Sequence, residues 1–179
     1  MKPRVRIDWR PSRALLHGSL ALLAALAFPA VPFADEATLE GKRGQFDGYI
    51  SASGPFHSIE YAEGAKAAVA RLQGTAVLRI QTGQTVSFQV DCVAMSDERG
   101  SSHGRCVWTG VTGDRIFSEL RGDAFGGLRA VNGRFVAGTG RFEGIAGDYT
   151  FQWTDWTSGD GEGTVKGHSD TVNGRYRLP

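Results

Sequence analysis

The chain has 179 residues, 25 glycines and a formal charge of +1, but five of its 20 basic and one of its 19 acidic residues precede residue 35. Residues 35–179 therefore carry −3, which leaves no basic patch and excludes nucleic acid as an implied partner. Those 145 residues are enough for one proper core, and a glycine-rich chain with no helical period predicts an all-β domain with many turns.

Lys2, Arg4, Arg6, Arg10 and Arg13 precede an uncharged, Leu- and Ala-rich run from Ala14 to Ala34. This is the pattern of a secretory signal peptide over residues 1–34, with Ala34 as the last residue removed. The alternative is an uncleaved anchor, which Pro29, Pro32 and His17 disfavour as a regular span. Cleavage predicts an exported protein, periplasmic or secreted, with no stable membrane span. Residues 35–44 read as a polar leader, and the domain proper occupies residues 45–179.

Alternation begins at Gln45, with Phe46, Ile50 and Ala52 on one parity, and Gly54-Pro55 is expected to end this first strand. Residues 56–66 read as irregular, with a short strand around Ile59–Tyr61. The longest alternation follows. Ala68, Ala70, Leu72, Ala76, Leu78 and Ile80 face one way; Arg71, Gln73, Thr75 and Arg79 face the other. Gly74 within it suggests a bend or bulge. After a tight turn at residues 81–84, Val86, Phe88, Val90 and Cys92 share a face. A polar loop is expected over residues 96–103, carrying His103, and then Cys106 and Trp108 share a face. Further strands are predicted over residues 115–120, 126–136, 148–156 and 163–178. Between the sixth and seventh, Gly138, Gly140, Gly144 and Gly147 punctuate a compact corner, with Phe142 and Ile145 placed to plug a barrel end. Gly-Thr-Gly at 138–140 resembles a phosphate loop only weakly, because no helix follows it. About eight strands with short connections point to a single closed antiparallel β-barrel, which removes exposed edges.

The segment Arg105–Glu119 (RCVWTGVTGDRIFSE), the segment Gly138–Gly147 (GTGRFEGIAG) and the terminal Gly174–Leu178 (GRYRL) together resemble the bacterial allene oxide cyclase-like barrel domains. The likeness covers residues 65–178 and keeps the motifs in order. It implies a small eight-stranded calycin-like barrel, akin to plant allene oxide cyclases and dirigent proteins. Such relatives hold hydrophobic small molecules and steer cyclisation or coupling. No catalytic residue of the plant enzymes maps onto a position of this chain, and fold alone does not carry function.

Cys92 and Cys106 are the only cysteines and lie symmetrically about residue 99, so a hairpin with that register sets them opposite each other. In an oxidising compartment a disulfide is expected; free buried thiols are the alternative. Without a histidine at ligand spacing they make a poor zinc site, and neither a metal nor a cofactor is implied. His57, His103 and His168 are scattered, and none stands in a triad context. Glu119 is the one candidate catalytic residue. Facing a lumen with Phe117, its carboxylate would have a raised pKa and act as acid or base. The favoured register instead turns Ile116, Ser118 and Leu120 inward and leaves Glu119 outside, paired with Arg115 or Arg121. Phe88, Trp108, Tyr149, Phe151 and Trp153 are the candidate ligand-lining residues, since an eight-stranded barrel either fills with side chains or holds one small ligand. Three functions follow: a module that binds a small hydrophobic molecule in or at the mouth of the barrel, a cyclase- or isomerase-type enzyme, and a filled barrel with a structural or interaction role.

Overall fold

The computed structural model describes Leu39 and residues 42–97, 101–123, 127–158 and 162–179. The segments predicted as signal peptide and, apart from Leu39 and residues 42–44, as leader lie outside the described residues. Eight strands follow one another: β1 (Arg43–Ala62), β2 (Ala65–Ile80), β3 (Thr85–Asp97), β4 (Ser101–Gly110), β5 (Arg115–Asp123), β6 (Gly127–Gly138), β7 (Ala146–Ser158) and β8 (Glu162–Arg177). Each pairs antiparallel with its neighbours, and β1 pairs with β8 to close the barrel. The alternation fixes which face turns in. Leu78, Phe88 and Phe151 are buried, whereas Arg71, Gln73, Arg79, Gln89 and Gln152 are exposed. A slip of one residue would invert every one of these, and each large apolar side chain is worth about 1.5–3 kcal/mol of burial.

Several boundaries differ from expectation. Gly54-Pro55 does not break β1, which is 20 residues long and takes in residues 56–62 of the segment predicted to be irregular, while a turn at residues 63–64 leads into β2. Pro55 has no N–H for a ladder, but the pairing with β8 continues through Gly54↔Val165 and Pro55↔Thr164. Gly74 is not a bulge, since its register is unbroken toward both β1 and β3. It permits close approach instead: a Cβ there would lie 1.9 Å from the Ser51 carbonyl oxygen. The register shifts of β8 against both neighbours place an extra residue on β8 at Asp170–Thr171, where two successive side chains are exposed. The buried Ser169 hydroxyl accepts the Thr171 N–H (3.3 Å) at that bulge. The expected loop over residues 96–103 is largely strand, and His103 stands on β4 opposite Met95. Leu39, in the predicted polar leader, is buried with the core.

One barrel end is closed by the corner after β6. A single 3₁₀ turn, Gly140–Phe142, drives Phe142 and Ile145 into the barrel, where they are 1% and 2% exposed. Of the four glycines, Gly140 (φ +57°) and Gly144 (φ +73°) use the left-handed region that β-branched residues avoid. A Cβ on Gly140 would also lie 1.9 Å from Asp114 Oδ1, whose carboxylate pairs with Arg141 at 3.2 Å. Gly140→Val is expected to cost at least the roughly 1–3 kcal/mol of a strained backbone position, read as a lowered urea midpoint at unchanged slope. An unaltered midpoint would remove this account of the corner.

Candidate functional site

The aromatic core fills the plugged half of the barrel. Phe88 lies 5.7 Å from Phe142 and 6.0 Å from Trp108, centroid to centroid, and Phe135 and Tyr149 pack beside Trp108. Tyr149 fits because glycines face it: a Cβ at Gly133 or Gly174 would run into its side chain. A small polar network sits among these rings. Ser118 Oγ accepts hydrogen bonds from Trp108 Nε1 (2.9 Å) and from the Tyr149 hydroxyl (2.8 Å), all buried. Buried polar atoms of indole and phenol are thereby satisfied, as cores require.

Toward the other end, where β3, β5 and β7 finish, an apolar cavity of about 60 Å³ remains. Trp108 and Tyr149 form its floor; Leu72, Leu120, Val131, Phe151 and Trp153 form its walls, together with both cysteines. Four of the five predicted lining residues, Trp108, Tyr149, Phe151 and Trp153, therefore meet at one cavity. Phe88 is the exception, because Phe142 occupies the space on its open side. For scale, an engineered apolar cavity of about 150 Å³ accommodates benzene. The lumen here takes a group smaller than that unless side chains move.

Three polar residues of the cavity were not anticipated as lining it, and one of them is His103. Ser102 lines it, and so does Arg129, which is only 5% exposed. The signal for Arg129 lay in register: Phe135, Gly133 and Val131 point inward, so the residue two before Val131 does too. A guanidinium stays cationic, and it brings donors without acid–base chemistry near neutral pH.

Cys92 and Cys106 pair directly across β3 and β4 and form a disulfide, with Cα atoms 4.1 Å apart. Glu119 is on the outer wall. It pairs with Arg105 at 3.1 Å, neither with Arg115 nor with Arg121, because the residue opposite on β4 is nearer than a same-face neighbour along β5. The histidines stay apart. His57 Nδ1 meets Glu162 at 2.9 Å on the outside, His103 is exposed and in contact with Ser101 Oγ, and His168 is half-buried on β8. No group of three His, Cys, Asp or Glu side chains suited to a metal ion occurs among the described residues.

No family model, curated protein or solved structure matches the chain. The functional reading therefore rests on the chemistry of the cavity itself. Burial pushes the Tyr149 hydroxyl well above the ordinary range of a tyrosine, against the smaller opposing effect of its bond to Ser118. It stays a neutral donor. The sign of the linkage follows. A group protonated more firmly when folded contributes its full stability below the unfolded pKa of about 10, and loses it as pH rises beyond that. Wild-type stability is expected to fall above pH 10 more steeply than that of Tyr149→Phe, by up to about 1.4 kcal/mol per pH unit. Parallel urea titrations between pH 9 and 11 check this; identical slopes would mean Tyr149 ionises in place.

Proposed function

We propose that the barrel is an exported binding module that accepts a small apolar group in its end cavity. One observation carries this reading: an apolar cavity persists inside the barrel beyond the packed aromatic half, with Trp108, Phe151 and Trp153 around it. Binding sites are concave, mostly apolar and carry few polar groups, and Ser102, His103 and Arg129 supply the polar contacts here. The disulfide supports an oxidising compartment, and the eight-stranded barrel agrees in fold with an allene oxide cyclase-like domain. The cyclase-type enzyme is the weaker reading. It calls for a proton-transferring group enclosed in the cavity, whereas Glu119 stands on the outer wall, Tyr149 is held neutral, and His103 borders the cavity with its side chain exposed against Ser101 Oγ.

Tryptophan fluorescence tests the proposal, since two indoles line the cavity. A series of apolar probes of rising size, from isopropanol through benzene to indane, is expected to give saturable quenching that stops at a size limit. Phe151→Ala, which enlarges the cavity, should move that limit upward, and Ala94→Leu, which fills it, should abolish the response. A response that is linear for every probe and indifferent to both substitutions would favour the filled-barrel role. That reading draws on the close aromatic packing of the plugged half.

A further inference from the structure

The outer wall carries a second concave feature, independent of the lumen. Where β6, β7, β8 and β1 adjoin near the plugged end, a groove of about 730 Å³ runs between Lys42, Arg43, Arg134, Arg175 and Arg177. Asp148 is the single carboxylate among its lining residues. Elsewhere on this wall arginines meet carboxylates of the neighbouring strand, Arg79 with Asp47 at 2.6 Å and Arg105 with Glu119 at 3.1 Å directly opposite, and Arg71 with Asp91 at 2.7 Å on the diagonal. Asp91 is held below its ordinary range by the bond from Arg71, as such pairing requires.

The groove breaks that pattern. Arg43 faces Arg177 directly across β1 and β8, a like-charge pair that costs stability. Asp148 stands between Arg134 on β6 and Arg175 on β8 and pairs with Arg175 at 3.7 Å, while Arg134 faces Glu119 on its β5 side, a carboxylate already held by Arg105. Ala146, opposite Arg177 on the other side, is too short to fill the space between the cationic rows. The pairing of β1 with β8 joins the two ends of the domain here, and the Leu178 N–H bonds the Lys42 carbonyl at 2.7 Å. The cations therefore stand on ordered backbone. Residues 35–179 are net acidic, so this concentration of positive charge is local and does not follow from composition.

We propose that this groove binds a multiply charged oxyanion of the phosphate type. Guanidinium forks match such oxygens two at a time, and several forks around one opening select for more than one negative charge. The same chemistry is offered by a soluble phosphate ester and by a phosphomonoester lipid headgroup, and the experiment separates them.

Inorganic pyrophosphate is the probe, with sodium chloride at matched ionic strength as the reference. At about a hundredfold excess over Kd, pyrophosphate is expected to raise Tm by on the order of 5–10 °C beyond chloride. The double variant Arg43→Gln/Arg177→Gln should bind at least about tenfold more weakly, since each charge-assisted bond is worth that much. In chloride alone this variant should melt no lower than wild type, because it removes a repulsive pair. It therefore remains folded and interpretable. Arg71→Gln, on the paired part of the wall, should keep the full pyrophosphate shift. Sedimentation with phosphatidic acid vesicles but not phosphatidylcholine vesicles, competed by pyrophosphate, would assign the ligand to a lipid headgroup; pyrophosphate binding without sedimentation would assign it to a soluble ester. A wild-type shift no larger than in chloride, or an equal shift in the double variant, would overturn the site.

Discussion

Phe142→Ala is expected to cost about 3–5 kcal/mol, the range for truncating a fully buried aromatic residue. Phe142 closes the barrel end and is 1% exposed. How much of that range is lost depends on whether the site can collapse, and here it cannot readily do so. The corner is tied twice to β5 at its start, because Thr139 N–H donates to the Arg115 carbonyl (2.9 Å) and Arg115 N–H donates to Thr139 Oγ1 (3.0 Å). The Ile145 N–H in turn bonds the Phe142 carbonyl at 3.0 Å. A cavity would therefore remain beside Phe88, and the loss should fall in the upper part of the range. Since whole domains are stable by only about 5–15 kcal/mol, the variant should unfold at much lower urea. Val69→Ala provides the contrast. Val69 is 43% exposed on the outer wall, and its truncation should stay within about 0.5 kcal/mol. Similar midpoints for the two variants would refute the plug.

What could be read from the chain and what could not divides along a physical line. Period-two alternation is a local signal, and it placed Leu78, Phe88, Phe151 and their partners inward, with the turns between them. The corner was legible for the same reason, since Phe142 and Ile145 stand out as apolar residues among glycines. Local signals misled where one residue type serves two purposes. Gly54-Pro55 reads as a break, yet only the rungs toward β2 lapse there, between Ser53↔Gln73 and Phe56↔Ala70, while the pairing with β8 carries the strand on. Gly74 reads as a bulge, yet it provides room for the β1 backbone. The partner of Glu119 was missed because it lies across the sheet rather than along the strand. Arg129 escapes a local reading because a charged residue counts as outward, and only the register it shares with Val131 and Phe135 turns it inward. The basic groove was beyond any local pattern. Arg43 and Arg177 stand at opposite ends of the domain, and only barrel closure makes them neighbours.

Removing the disulfide should have the second largest effect, and it separates into two parts. Cys92 and Cys106 close a loop of about 15 residues, which in the chain-entropy model contributes on the order of 3 kcal/mol by restricting the unfolded chain. In a domain of this size that corresponds to a fall in Tm of about 10 °C. Both side chains also face the lumen, are 6% and 4% exposed, and form part of the cavity wall. Chemical reduction therefore deletes the cross-link but leaves both sulfurs in place, whereas Cys92→Ala/Cys106→Ala deletes the cross-link and sulfur volume together. The double variant should be less stable than the reduced wild type by a further cavity term, and it should accept larger probes in the fluorescence series. Intact-mass analysis after alkylation, without reductant, should find no free thiol in protein recovered from its native compartment. Two alkylated thiols there would sink the pairing. A reduced protein as stable as the oxidised one would mean instead that the closely paired β3–β4 hairpin holds the unfolded chain together without help from the bond.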